Sequence, residues 1–150
     1  MRVEKSPPSR ESCKELADFN VRFHEKHGYL PLDYDKGLYS VFTTCRDDSV
    51  FAARNAHGVI VGSIGLFVAE PWYSRAKILT NRWFNIEPGR YRDGACKALL
   101  EAAKREAARL EVKMLIITRW NTRKELKTGF GRIAEVVGYI PFGNEFRMRF

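Results

Sequence analysis

The stretch Ile78–Leu110, ILTNRWFNIEPGRYRDGACKALLEAAKREAARL, constrains the fold of this chain more than any other. Its first half, Ile78–Ile86, is apolar and aromatic and reads as a strand, with Trp83 and Phe84 on opposite faces. Pro88-Gly89 ends it. The apolar period then changes: Cys96, Leu99 or Leu100, Ala103, Ala107 and Leu110 recur at helical spacing. Lys97, Glu101, Lys104, Arg105 and Arg109 fall mainly on the other side. Asp93 is the expected N-cap, an acidic one that complements the helix dipole. A strand running through a basic, glycine-bearing loop into a helix suits an anion. The first helical N–H groups have no partner inside the helix, and the dipole favours negative charge there. Gly94 lets a phosphate approach the backbone, and Arg90, Arg92 and Lys97 add positive charge. Most strand–turn–helix units bind nothing, so this stretch alone leaves phosphate binding and a plain structural turn both open.

The chain has 150 residues, enough for one domain (1–150) with a real core. No apolar run is long enough to span a bilayer, and MRVEKSPPSRES lacks the apolar segment of a signal peptide. Cys13, Cys45 and Cys96 are scattered, each in a helical apolar pattern, which points to buried thiols and a reducing, cytoplasmic setting. The net charge of +8 suits a phosphorylated ligand, a nucleic acid or an acidic protein partner. The basic residues are spread along the chain, and there is no helix-turn-helix, zinc or RNP-like signature, so nucleic acid ranks last. His24 and His27 fall at the polar end of the first helix and His57 in a turn. No Cys or His spacing suggests a metal.

In order, Arg2–Lys5 reads as a short strand. A helix capped by Ser9 then runs to about His27, with Cys13, Leu16, Ala17, Asn20 and Phe23 on one face, and Gly28 closes it. Tyr29–Asp35 is turn-rich. Leu38, Val41, Phe42 and Cys45 mark a second helix. Ser49–Arg54 and Val59–Ala69 are strands joined by the hairpin signal Asn55-Ala56-His57-Gly58. Gly62 and Gly65 suggest a bulge or a close backbone approach. Glu70–Ser74 connects to the central segment. Lys113–Arg119 is expected to return parallel to the sheet by a right-handed crossover. Thr122–Val137 reads as a helix with Leu126, Phe130, Ile133, Ala134 and Val137 inward, Gly138–Pro141 as its stop, and Asn144–Phe150 as the last strand. The expected order is β, α, α, β, β, β, α, β, α, β.

That order, with this central segment, resembles the GNAT family of acyl-CoA N-acyltransferases. The resemblance covers most of the chain from about Ser9. It implies an α/β fold, a central mixed, mostly antiparallel sheet flanked by helices. The family's pyrophosphate loop, (Q/R)-x-x-G-x-(G/A), is matched by Tyr91-Arg92-Asp93-Gly94-Ala95-Cys96, with Tyr91 in the first position and Cys96 in the last. Pro88-Gly89-Arg90-Tyr91 stands for the upstream P-x-x-R, off register by one. HGVIVGSIG looks like the family's second and third strands, and Gly138-Tyr139 resembles its Gly-Phe after the last helix. The compact GNAT-like proteins of tailed-phage genomes show similar drift. Two departures bear on chemistry: Ala134 stands where many members carry a tyrosine acid, and the central strand has no carboxylate before Glu87.

The resemblance implies acetyl-CoA as cosubstrate and an amine acceptor, a small molecule or a protein. It puts the backbone of Phe84, Asn85 and Ile86 beside the pantetheine, Arg90, Tyr91, Arg92, Asp93, Gly94, Ala95, Cys96 and Lys97 around the pyrophosphate, and Asn121 on the pantetheine arm. For the base, Glu70 ends the strand beside the central one, and Tyr73 or Tyr91 could give a proton to the leaving thiolate. Each has a structural alternative, as a strand-end charge or a core cover. The competing reading is a catalytically silent, phage-encoded protein of the same fold, gripping an acidic host protein or a nucleic acid through Trp72, Trp83, Trp120 and basic residues.

Overall fold

The computed structural model describes residues 1–28, 30–118, 129–142 and 145–150. Among the described residues, seven strands and four helices follow in the order β1 (Arg2–Lys5), α1 (Arg10–His27), α2 (Tyr34–Asp47), β2 (Ser49–Arg54), β3 (Ile60–Ala69), β4 (Ile78–Ile86), α3 (Arg92–Arg109), β5 (Met114–Thr118), α4 (Phe130–Val137), β6 (Ile140–Phe142) and β7 (Glu145–Arg149). They form one sheet ordered β1-β2-β3-β4-β5-β7-β6. Among the described strands only β4 and β5 pair in parallel; the other neighbours are antiparallel. The parallel pair is the one that helix α3 connects, as a β–α–β crossover requires.

Both faces of the sheet are covered, so β2 is buried at nearly every position and reads as a continuous apolar run rather than an alternating one. Its alternate residues serve two cores. Phe51 and Ala53 pack with Phe84, Leu99, Leu100 and Ala103 on the α3 side. Val50 and Ala52 pack with Cys13, Leu16, Phe19 and Val41 on the α1–α2 side. Trp83 and Phe84 divide in the same way, Trp83 against the α1–α2 core and Phe84 within the other. All three cysteines are buried.

Local chemistry accounts for the element ends. Ser9 caps α1 by accepting from the Ser12 N–H. Asp33 accepts from the Lys36 N–H, so α2 starts at Tyr34, inside the stretch expected to be a turn. Asn55 Oδ1 accepts from the N–H groups of His57 and Val59, and Gly58 takes φ +77°, closing the β2–β3 hairpin. In the expected helix Thr122–Val137, the described part begins at Phe130, because Gly129, at φ +81°, is its N-cap; Leu126 lies outside the described residues. The expected stop at Gly138–Pro141 is corrected in part. Gly138 does end α4, at φ +100°, but Ile140–Phe142 then adds β6. That strand is the sheet edge, where a proline without an N–H is tolerated. Among the described residues no helix is long and apolar enough to cross a membrane.

Candidate functional site

Strands β4 and β5 run side by side and then part. They pair at Ile78↔Met114, Leu79↔Leu115 and Thr80↔Ile116, and both continue beyond that point. The side chain of Asn81 stands where the next rung would be. Its Nδ2 donates to the Thr118 carbonyl at 2.9 Å, and its Oδ1 accepts from the Thr118 N–H at 2.8 Å. The amide thus satisfies a β5 peptide that would otherwise pair with the β4 backbone, and holds the strands a side chain apart instead of the usual 4.7–4.9 Å. A bulge reinforces the parting. Gly65 faces Trp83 and Leu66 faces Asn81, which leaves Arg82 without a partner in β3 and twists β4 there. Past the bulge, the Glu87 N–H donates to the Val61 carbonyl. Alternation along an antiparallel ladder then turns the backbone of Asn85 towards β3 and that of Phe84 and Ile86 towards the opening.

The opening faces the start of α3. Gly89, at φ +116°, turns the chain, and its carbonyl accepts from the Arg92 N–H. Tyr91, not Asp93, is the N-cap, and no side chain caps the helix. Asp93 sits inside the first turn, where its carboxylate takes Arg92 Nε at 2.9 Å; its side chain is therefore committed to a neighbour rather than to the amides. Arg90 lies over the Tyr91 ring at 4.6 Å. Arg92 reaches towards α4: a β-carbon built on Gly129 would lie 2.8 Å from its Nη2. Gly94 and Lys97 are exposed, and a β-carbon on Gly94 would meet only Met1 Cε, at 3.9 Å. Ala95 and Cys96 are buried in the core, so only their backbone can face a ligand.

On the α1–α2 face of β4 lies a connected set of buried polar groups. Trp83 Nε1 donates to Ser63 Oγ at 3.0 Å, and Ser63 Oγ donates to Asn20 Oδ1 at 2.8 Å. Asn85 Nδ2 also donates to Asn20 Oδ1, at 3.0 Å, and meets His24 Nε2 at 3.4 Å. An amide nitrogen has no lone pair to offer, so Nε2 meets it as an acceptor, with the imidazole proton on Nδ1. Burial holds the His24 pKa below its ordinary value. One turn on, His27 Nε2 is buried with no hydrogen-bond partner among the described residues, 3.8 Å from Glu87 Oε2.

This polar set borders a cavity of about 130 Å³. Helix α1 lines it with Ala17, Asn20, Val21 and His24, a single i, i+3, i+4, i+7 stripe. Helix α2 contributes Gly37, Ser40 and Val41, β4 contributes Trp83 and Asn85, and Leu32 closes one side.

The sequence-based candidates are thus only partly gathered. Phe84, Ile86 and the residues from Arg90 to Lys97 cluster around the opening and the α3 start. Asn85 points its side chain to α1. Asn121 and Trp120 lie outside the described residues. Glu70 and Tyr73 are exposed in the β3–β4 connection, at the Ile78 end of β4 where the strands are still paired. Ala134 is fully buried. Trp83 is half-buried and donates to Ser63 Oγ from the cavity wall; Trp72 is 96% exposed. Two features escaped the sequence reading: the Asn81 bridge, and the grouping of Asn20, His24 and Asn85. The available signal was an asparagine inside an apolar stripe, at Asn20, and two inside an apolar strand, at Asn81 and Asn85. Buried amides require partners.

No protein-family model and no curated protein matches the sequence. Solved structures do match in three dimensions. A crystal structure of a probable acetyltransferase superposes with a TM-score of 0.71 at 16% identity, over 95% of this chain and 91% of that one. A chain of the NatC complex bound to Gag peptide and CoA gives 0.72 at 12% identity, over 100% and 99%. The yncA protein of Salmonella typhimurium with its cofactor acetyl-CoA gives 0.68 at 12% identity, over 99% and 94%. At these identities the likeness shows the fold: the chain has the α/β GNAT fold.

Proposed function

We propose that this protein transfers an acetyl group from acetyl-CoA to an amine. The observation that carries the reading is the opening between β4 and β5, held by Asn81 and Thr118 and facing an α3 start without a side-chain cap. The coenzyme fits what these residues offer. Pantetheine is an extended chain of amides, so it can pair with the outward backbone of Phe84 and Ile86 as a strand would. The pyrophosphate meets the α3 amides, with Arg90, Arg92 and Lys97 supplying charge. A Phe84 or Ile86 N–H in the opening would stabilise the oxyanion that forms when the amine attacks the thioester. That two proteins of this fold hold acetyl-CoA or CoA supports the same reading.

Glu70 and Tyr73 remain the candidates that the sequence suggests for proton transfer. Glu70→Gln and Tyr73→Phe lower kcat with coenzyme affinity unchanged if either moves a proton.

The test is calorimetric titration with acetyl-CoA, with adenosine bisphosphate as a control, followed by thiol release with an amine panel. Saturable binding is expected. No binding at millimolar acetyl-CoA would leave the fold a scaffold, and the second reading would then lead: a binder of an acidic protein, for which Trp72 and Tyr73, stacked edge-to-face at 5.6 Å, offer an exposed aromatic contact.

A further inference from the structure

We propose that the face of β4, β5, β7 and β6 turned away from α3 and α4 docks an acidic, amphipathic helix of a partner protein. This surface is separate from the coenzyme opening, and the proposal stands whether or not the protein transfers acetyl groups.

The sheet register defines the surface. Leu79, Leu115 and Met148 are partners in β4, β5 and β7, and all three are buried in the core that holds α3 and α4. Side chains alternate along a strand, so the residues on either side of these three point the other way. They form two rows across the sheet. Ala69, Ile78, Met114 and Arg149 are successive partners in β3, β4, β5 and β7. Phe67, Thr80, Ile116 and Arg147 make the next row, which Ile140 extends to β6. Both rows come before the strands part at Asn81.

Helices α1 and α2 lie on this same face, but their core takes residues of β2, β3 and β4 and none of β5, β6 or β7. Arg82, paired with Asp48 after α2, lies over the Phe67 ring at 4.3 Å and borders the strip on that side. Beyond it Ile78, Met114 and Ile116 are only half-buried, and Ile140 is 67% exposed. A solvated sheet face ordinarily alternates to polar residues. A contiguous aliphatic strip there marks a contact site instead. An apolar sheet face is closed by packing another layer on it, and a helix is one such layer. From β4 to β6 the strip crosses three interstrand steps, about 14 Å, the length of roughly ten helical residues.

Charge selects the partner. Arg147 and Arg149 stand in the two rows. Lys77 and Lys113 adjoin the Arg149 end: the Lys113 N–H donates to the Lys77 carbonyl, and the Lys113 carbonyl accepts from the Phe150 N–H. Lys77, Lys113 and Arg149 are exposed and form no ion pair among the described residues. Arg75 adds a further cation, against Glu70 and Glu111 in the adjoining turns, so this end is net positive. A second copy would bring arginine rows together, in chains that each carry +8. Single-stranded nucleic acid stacks its bases on aromatic rings, whereas the centre of this strip is aliphatic. A helix with apolar residues on one side and carboxylates beside them matches both the strip and its rim.

The experiment titrates the full chain with a fluorescent helical peptide, leucines at i, i+3, i+4 and i+7 and glutamates elsewhere. Polyglutamate of the same length and a thymidine oligonucleotide of the same charge are the comparators. Saturable peptide binding is expected, with both comparators weaker by about tenfold or more. Methyl NMR of the wild-type chain locates the contact. Shifts are expected at Ile78, Met114, Ile116 and Ile140, and none at the buried Ile60 and Ile64. Ile116→Thr keeps a strand-favouring side chain, and Lys113→Glu combined with Arg149→Glu reverses the rim. Both variants are expected to keep the wild-type circular dichroism and to bind the peptide about tenfold more weakly or worse. Absence of saturable binding, methyl shifts outside the strip, or wild-type affinity in both variants overturns the proposal. An oligonucleotide that binds as tightly as the peptide overturns the choice of partner and assigns the rim to phosphates.

Discussion

Gly65 and the Trp83 ring occupy adjoining space across the β3–β4 bulge. A β-carbon on Gly65 would lie 2.5–2.6 Å from three ring atoms of Trp83. The indole cannot swing away without breaking its bond to Ser63 and opening the polar set behind it. Gly65→Ala is therefore expected to cost about 1–3 kcal/mol by overpacking. Urea unfolding followed by tryptophan emission measures it, and a wild-type midpoint would mean that the ring is free to shift. Gly94 contrasts with Gly65. Space exists for a side chain there, so Gly94→Val should leave the helical circular dichroism intact. It should also weaken acetyl-CoA binding by at least about tenfold, or ~1.4 kcal/mol, by filling the phosphate approach. Calorimetry that finds unchanged affinity would move the coenzyme loop elsewhere.

At the level of elements, β4 has two different edges. Its β3 edge is a full ladder broken by one bulge; its β5 edge stops at Thr80 and is finished by the Asn81 side chain. Asn81→Ala would remove both of its hydrogen bonds to the Thr118 backbone, at a cost of about 1–3 kcal/mol. Chemical denaturation should show that loss together with weaker coenzyme binding, whereas a loss of stability alone would make the bridge purely structural. Helix α3 is anchored differently. Glu106, buried on its inner face, accepts from Arg109, Lys5 and Ser49. Arg109 first, then Lys5 and Ser49, hold its pKa down at about 2, against the burial that pushes it up from 4.5. A carboxylate whose folded pKa is depressed stabilises the fold above its unfolded pKa. The contribution is lost as pH falls through the folded value. Wild-type stability should thus decline between about pH 4.5 and pH 2, more steeply than that of Glu106→Gln. Parallel pH profiles of the two proteins would show that the network carries no linkage.

For the whole molecule, two core layers on one sheet and the proposed coenzyme opening would make ligand binding a stability event. If acetyl-CoA binds the folded chain alone, a hundredfold excess over Kd adds about 2.7 kcal/mol and raises Tm by several degrees. Scanning calorimetry with and without ligand reads this directly, and an unchanged Tm under saturation would contradict the proposed site. The thiols do not complicate such assays. All three are buried, and burial, with Cys13 alongside, pushes the Cys45 thiol up to about 12. Native protein should react slowly with a disulfide reagent and unfolded protein at three positions.

Periodicity was legible because it is local. The strand–loop–helix of residues 78–110, the Ser9 cap, the Asn55–Gly58 hairpin and the parallel return of β5 all follow from spacing and turn chemistry along the chain. The same signals misplaced the α3 cap, because Asp93 could not be known to prefer Arg92. They also missed β6, three residues long and defined only by its pairing with β7. Of the candidate site, the loop glycines and basic residues were readable, since helix termini attract anions wherever they occur. The opening was not, because it depends on Asn81 meeting Thr118 across 37 positions. Nor was the cavity, whose lining comes from α1, α2 and β4 and has no common sequence pattern. The sequence by itself determined which segments are helix or strand, and which faces are apolar, because those properties repeat within one element. Tertiary structure alone decided where two strands part and which amide and imidazole groups meet, because those contacts join residues whose separation along the chain carries no signal.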